Sequence, residues 1–232
     1  MGDDGMIIYE GPSLLDGQPI VAVLTGHEKP SANDKTGTMA QLWIMPRDTA
    51  PNESLRTGED ESVCGDCPLR GVLGKQRACY VAVHQAPLSV WKKYQRGGYP
   101  GWIPGLSIPT HPKVEGVRLG AWGDPAALPF HILVALTEQF EGWTGYTHQW
   151  RQLGPQHASL LMASVETAEQ AAEARAAGWR TYGLEEDDES ILCPATSHGI
   201  TCSDCGLCKG TASGAKSIYN PPHGRGRKYV TS

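Results

Sequence analysis

Residues 117–140 read VRLGAWGDPAALPFHILVALTEQF, and residues 160–184 read LLMASVETAEQAAEARAAGWRTYGL. In each stretch a short apolar run of strand length leads through a turn into a helical pattern. The second helix has Thr167 and Gln170 at the spacing of a capping box and Gly178 as a C-terminal stop. Strands that alternate with helices in this way predict a parallel sheet built from βαβ units.

Further apolar runs extend this pattern along the chain. We expect strands over 20–25, 39–45, 117–122, 143–147, 160–164, 179–184 and 191–193, helices over 88–96, 125–140 and 167–177, and a polar loop over 47–62. Six to eight strands in an α/β layout favour a small or incomplete (β/α) barrel, with a doubly wound sheet as the alternative. In both folds the chemistry lies beyond the carboxyl ends of the strands.

The predicted domain organisation is one (β/α) domain over residues 1–232. Within it we expect an N-terminal extension (1–38), a barrel core (39–192) and a cysteine-rich C-terminal segment (193–232) that ends in a basic tail. The tail contains several cations and no acid, so it predicts either a nucleic-acid contact or a solvated tail. Its cations are Lys209, Lys216, Arg225, Arg227 and Lys228.

Composition and charge exclude several classes of protein. The formal net charge of −5 argues against a protein that coats nucleic acid. No apolar run approaches the ~20 residues of a membrane span, and the acidic start MGDDGM is unlike a signal peptide. We therefore expect a cytoplasmic protein with no membrane partner.

Seven cysteines fall into two groups with none between them. An odd number in a cytoplasmic chain argues against disulfides and for metal binding. The first group is Cys64, Cys67 and Cys79, and the second is Cys193, Cys202, Cys205 and Cys208.

Two metal chemistries fit these groups. The C-x2-C-x2-C spacing of the second group, with Cys193 upstream, would saturate a [4Fe–4S] cluster. The first group supplies three thiolates, so one iron of a cluster there would keep an open coordination position, as catalytic metal sites do. The alternative is zinc at one or both groups, with His84 as the fourth ligand of the first.

Polar residues at the predicted strand ends are candidates for catalysis and cofactor binding. Asp124 follows a strand and precedes a helix, where it would hold an amino group, act as a base or nucleophile, or simply cap the helix. His148 ends the next strand and is a candidate for proton transfer or ligation. Ser164 occupies the equivalent place one strand later, as a cofactor contact or a helix-entry hydroxyl. Arg118, inside a strand, would face an anion or form a salt bridge.

Several of these motifs resemble an uncharacterised phage family called gene product 88, over roughly residues 33–210. The resemblance is carried by NDKTG at 33–37, Cys79-Tyr80-Val81, VRLGAWGD at 117–124, Tyr146-Thr-His148 and the C-terminal cysteine pattern. Such a protein would work in the host cytoplasm. More distantly, the chain resembles radical S-adenosylmethionine (SAM) enzymes, whose three cluster cysteines follow the first barrel strand. Their usual spacing is C-x3-C-x2-C, whereas this chain has C-x2-C-x11-C.

The resemblance implies a radical-SAM-like iron–sulfur enzyme of unknown substrate. The first group would hold the reactive [4Fe–4S] cluster, the second an auxiliary one, and Asp124 would position the SAM amino group. An alternative is a barrel enzyme that modifies nucleic-acid bases, similar to deazaguanine transglycosylases, with Asp124 as nucleophile or base and structural zinc at the C-terminal cysteines. A third is a non-enzymatic, metal-stabilised module that binds nucleic acid or protein.

Overall fold

The computed structural model describes residues 5–30, 33–71 and 77–222, and these form nine strands and seven α-helices. The strands are β1 (Met6–Pro12), β2 (Pro19–Thr25), β3 (Ala40–Pro46), β4 (Gly116–Trp122), β5 (Gly142–Thr147), β6 (Met162–Val165), β7 (Thr181–Gly183), β8 (Ser190–Leu192) and β9 (Ser217–Tyr219). The helices are α1 (Pro51–Thr57), α2 (Glu61–Cys64), α3 (Ala86–Gln95), α4 (Phe130–Thr137), α5 (Ala168–Ala176), α6 (Pro194–Ser197) and α7 (Cys202–Cys205).

The strands form one mixed sheet in the order β1-β2-β3-β4-β5-β6-β7-β9-β8. The first three strands are antiparallel, and every pairing from β3 to β8 is parallel. The sheet is open, with β1 and β8 at its edges. The predicted α/β class with a largely parallel sheet is therefore confirmed. Strand order follows chain order as far as β7, without the central reversal of a doubly wound sheet.

The residues of the expected N-terminal extension contribute β1 and β2, which pair with β3 at one side of the sheet. The side chains of β2 from Ile20 to Leu24 are fully buried. A continuous apolar run of this kind forms a strand that is covered on both faces. At the other side, β9 lies between β7 and β8, so the C-terminal segment also belongs to the sheet.

The two faces of the parallel strands differ in chemistry because successive side chains of a strand point to opposite faces. Val117 and Leu119 of β4 are buried in the main hydrophobic core, together with Leu133 and Leu136 of α4. The other face carries polar side chains that line a cavity. They are Arg118, Thr144, Tyr146, Ser164 and Tyr182.

The helix expected over 125–140 is divided in two. A 3-10 turn spans Pro125–Ala127, Leu128 is extended, and α4 begins only at Phe130. The cause is Pro129, because the residue before a proline is disfavoured in the α conformation. The capping box of α5 is confirmed in part, since Thr167 Oγ1 accepts a hydrogen bond from the Gln170 amide at 3.3 Å.

The polar segment 47–62, predicted as a loop, contains α1 and the start of α2. Helix α1 begins at Pro51, whose fixed φ suits a first helical residue, and ends at Gly58 in the left-handed conformation. Within the ranges given above, the chain has no helix that is both long and apolar enough to span a bilayer.

Candidate functional site

A cavity of about 560 Å³ lies at the carboxyl ends of the parallel strands. All seven cysteines line it, although the two groups are more than a hundred residues apart in the sequence. The other predicted site residues, Asp124, His148 and Ser164, line the same cavity. The structure therefore brings together every site residue that the sequence singled out, apart from His84.

The first cysteine group lies on the connection between β3 and β4. Cys64 is the last residue of α2, and its amide donates to the carbonyl of Asp60 at 2.9 Å. Cys79 is held by a bond from its amide to the carbonyl of Leu69 at 2.8 Å, which folds the connection back beside Cys67.

A buried ion pair fixes this connection. Arg70 Nη2 lies 3.0 Å from Asp60 Oδ1, and both side chains are almost inaccessible to solvent. The same guanidinium donates to the carbonyls of Gly58 at 2.8 Å and Gly65 at 3.3 Å. Arg70 therefore joins the turns on both sides of α2 and positions the first cysteines. Nothing in the spacing of the sequence marked this residue.

The second cysteine group is carried by the C-terminal segment. Cys193 precedes α6, Cys202 and Cys205 are the first and last residues of α7, and Cys208 is buried next to β5. The Cys193 amide donates to the Tyr219 carbonyl at 2.8 Å, and the Gly145 amide donates to the Cys208 carbonyl at 3.2 Å. These bonds attach the segment to the sheet at two places.

A second buried arginine, Arg180, also holds the C-terminal segment. It donates to the carbonyls of Leu207 and Gly210, each at 2.7 Å, and to the carbonyl of Lys216. Burial lowers the pKa of this guanidinium, although the group remains a cation at any pH at which proteins fold. Arg180 thus serves as a brace for the residues around Cys208.

The loop 33–37 from the other end of the chain completes the wall of the cavity. The Cys202 amide donates to the Lys35 carbonyl at 2.8 Å, and the Ser203 amide donates to the Thr36 carbonyl at 3.3 Å. Gly37 has a φ of 65°, and a Cβ there would lie 2.1 Å from Ser203 Oγ. The NDKTG sequence therefore binds the first residues of α7, and only glycine fits its last position.

Within each cysteine group, burial and the neighbouring thiols raise the pKa of a thiol. Burial raises the pKa of Cys64 well above its usual value, and its nearby thiols Cys67 and Cys79 add to this. Burial also raises the pKa of Cys208 to about 12, with contributions from the other three cysteines of its group. Enclosed thiols beside other thiols are neutral without a cation, and a bound metal would deprotonate them.

A single metal ion held by these side chains would need several of them around one point. In the residues that the structure describes, no three His, Cys, Asp or Glu side chains converge as they would around one ion. The cysteine-rich metal site is therefore not confirmed. His84, expected as the fourth zinc ligand, is exposed and does not line the cavity.

The histidine that contacts the first group is His148. Its Nε2 lies 3.0 Å from Glu166 Oε1, and its side chain also forms a hydrogen bond with Cys67. Burial lowers the pKa of His148, but the bonds to Cys67 and Glu166 outweigh this and raise the pKa well above its usual value. Sequence reasoning overlooked Glu166, which directly follows β6.

Asp124 joins the ends of two strands. Its Oδ1 accepts from the Ala126 amide at 2.9 Å, as an N-cap does, and its Oδ2 accepts from the His148 amide at 2.8 Å. Burial raises the pKa of Asp124, whereas these bonds act in the opposite direction. Gly123 before it has a φ of 85°, and a Cβ there would lie 2.5 Å from the Ile44 carbonyl oxygen. The position of the carboxylate is thus built into the backbone.

The predicted basic tail is described only in part. Lys209 Nζ lies 5.5 Å from the centre of the Trp143 ring. Arg225, Arg227 and Lys228 lie outside the described residues.

Comparisons with protein-family models, curated proteins and solved structures gave no match to this chain.

Proposed function

We propose that this cavity is the active site of a radical-SAM-like iron–sulfur enzyme with a partial (β/α) barrel. Cys64, Cys67 and Cys79 would hold one [4Fe–4S] cluster, and the four C-terminal cysteines would hold an auxiliary one. The observation that carries the proposal is that both thiol groups line one cavity at the carboxyl ends of the parallel strands.

The place of the first group in the topology supports this assignment. The connection that carries it follows β3, which is the first strand with a parallel neighbour. This is where the resemblance to radical SAM enzymes requires the cluster cysteines. Asp124 lies two residues after β4, the next parallel strand, where the same resemblance requires it. The resemblance to the phage gene product 88 family includes both positions.

The spacing of the cysteines favours a cluster over zinc at the second group. A structural zinc ion needs four ligands arranged around one atom. In a [4Fe–4S] cluster each thiolate binds a different iron, so the ligands stand apart around a larger group. The spacing C-x2-C-x2-C of the second group, with Cys193 upstream, is typical of the second arrangement.

The residues of the chain have distinct roles in this proposal. When bound, the first cluster would supply an electron and an iron with an open position for the amino and carboxylate groups of SAM. His148, held by Glu166, orients Cys67 through a hydrogen bond, as outer partners of metal ligands commonly do. Asp124 holds the backbone of His148 in the wall of the cavity, and Ser164 of β6 lines the same cavity. Val165 and Leu184 add apolar surface to the wall of the cavity.

Anaerobic reconstitution with iron and sulfide tests this function. We expect a brown protein that loses one cluster in the Cys79→Ala variant and the other in Cys205→Ala. We also expect that SAM changes the electron paramagnetic resonance spectrum of the reduced wild type and releases 5′-deoxyadenosine. A loaded cluster that ignores SAM would refute the enzyme assignment. A colourless protein with zinc at both groups would instead favour the base-modifying or binding alternatives.

A further inference from the structure

Arg118 of β4 reaches into the cavity between the two cysteine groups. Its Nη2 donates to the hydroxyl of Tyr80, which directly follows Cys79 in the first group. The Cys202 thiol of the second group is close enough to interact with Arg118 electrostatically. The guanidinium therefore lies where a small molecule in the cavity would meet both groups.

This half-buried arginine differs from three other arginines that are buried or half-buried in the described ranges. Arg70 is paired with Asp60, Arg175 with Asp187, and Arg180 is surrounded by carbonyl oxygens. By contrast, Arg118 is paired with no carboxylate of the described ranges, and its neighbours are tyrosine hydroxyls and a thiol.

The hydrogen bonds of Arg118 also indicate that it has room for an anionic partner. A guanidinium has five N–H donors, and the bond to Tyr80 uses one of them. Arg118 is half-buried, and a partly desolvated charge without a counter-charge favours an anionic partner. The flat fork of arginine matches the paired oxygens of a carboxylate or phosphate.

The surroundings of Arg118 complete a binding site. Thr144 of β5 is the register partner of Arg118 across the two strands, and both side chains line the cavity. Farther along the wall, the rings of Tyr146 and Tyr182 lie 4.6 Å apart between centres. An anionic group at Arg118 would therefore leave the body of its molecule against an aromatic surface.

We infer that Arg118 anchors an oxyanion, either a carboxylate or a phosphate, of the substrate that enters this cavity. The inference rests on the proposed function in naming the bound molecule as the substrate, whereas binding of the anion itself requires no metal. A rival account is that the charge of Arg118 is balanced by the metal-bound thiolates of the second group.

Calorimetric titration of the full-length protein, with and without reconstituted iron, tests this inference. The probes are inorganic phosphate and succinate, which separate phosphate from carboxylate recognition. We expect saturable binding of at least one probe by the wild type, and binding weaker by about tenfold to a hundredfold in Arg118→Gln. The matched control is Arg56→Gln, which removes an exposed arginine outside the cavity and should bind as the wild type does.

The possible outcomes separate the two proposals. Wild-type protein that binds neither anion overturns the inference, and if it still forms clusters the proposed function stands. Anion binding by a protein that never forms a cluster supports the anchor and refutes the function. Equal affinity in the wild type and Arg118→Gln overturns the inference. If Arg118→Gln does not fold, Arg118→Lys decides, because lysine keeps the charge without the fork: weaker binding supports the anchor, and unchanged affinity overturns it.

Discussion

Replacing Asp124 by Asn tests whether this carboxylate holds the strand ends together. In the wild type each carboxylate oxygen accepts one backbone N–H, from Ala126 and from His148. An amide has only one oxygen, so its NH2 group must face one of these two donors. The variant therefore leaves one enclosed backbone N–H without an acceptor.

The size of the effect follows from this loss. Because burial raises the pKa of Asp124, removing the charge is not by itself the main cost. An unsatisfied buried donor costs about 2 kcal/mol, which corresponds to a decrease in Tm of about 4–8 °C for a chain of this size. The matched control is Asp16→Asn, because exposed Asp16 accepts only the Gln18 amide at 2.9 Å. An amide oxygen can replace that bond, so we expect a change below about 0.5 kcal/mol.

Thermal unfolding followed by circular dichroism, with both variants in the same metal state, measures the difference. A Tm for Asp124→Asn that equals that of Asp16→Asn would refute the reasoning. Asp124 would then act on ligands in the cavity without stabilising the fold.

Three further predictions concern the supports of the site. Arg70→Met leaves Asp60 buried without its partner, so we expect about 3–5 kcal/mol of destabilisation in urea unfolding. We also expect metal analysis to show loss of iron from the first cysteine group alone. Normal iron content would contradict the positioning role of Arg70. Arg180→Met removes the donor of three carbonyls, and limited proteolysis should then cleave the segment around Cys208 faster than in the wild type; an unchanged cleavage rate would count against the brace. Burial lowers the pKa of His157 in the folded protein. As the pH falls below the unfolded-state pKa of about 6.5, the unfolded chain therefore binds more protons than the folded chain, and the free energy of unfolding decreases. His157→Gln should flatten this dependence between pH 7 and 5, whereas His131→Gln, at an exposed position, should retain it; equal slopes would refute the assignment.

Much of the fold and site was readable from local patterns. Apolar runs bounded by turn residues predicted β2 to β6, and the capping residues predicted α5. Because the carboxyl ends of parallel strands meet at one edge of a sheet, residues that end different strands were expected to lie together. Asp124, His148 and Ser164 do so.

The remainder depends on contacts that sequence spacing does not encode. Arg180 acts on backbone carbonyls, which every residue possesses, and Arg70 adds two such bonds to its ion pair with Asp60. The zinc alternative named His84, the nearest histidine in sequence, whereas the histidine that contacts the first cysteines is His148, which follows another strand. Proximity along a chain says little about proximity across a sheet.

The contact between the loop 33–37 and α7 has a consequence for biosynthesis. Synthesis proceeds from the N-terminus, and contacts between distant parts of a chain form last. The first three cysteines therefore leave the ribosome well before α7 can contact that loop and before β9 can enter the sheet. During that interval their thiols are open to oxidants, which attack cysteines according to their exposure. In the proposed function, a cluster would therefore assemble late, and oxygen during synthesis should limit the yield of intact protein more than oxygen after folding does.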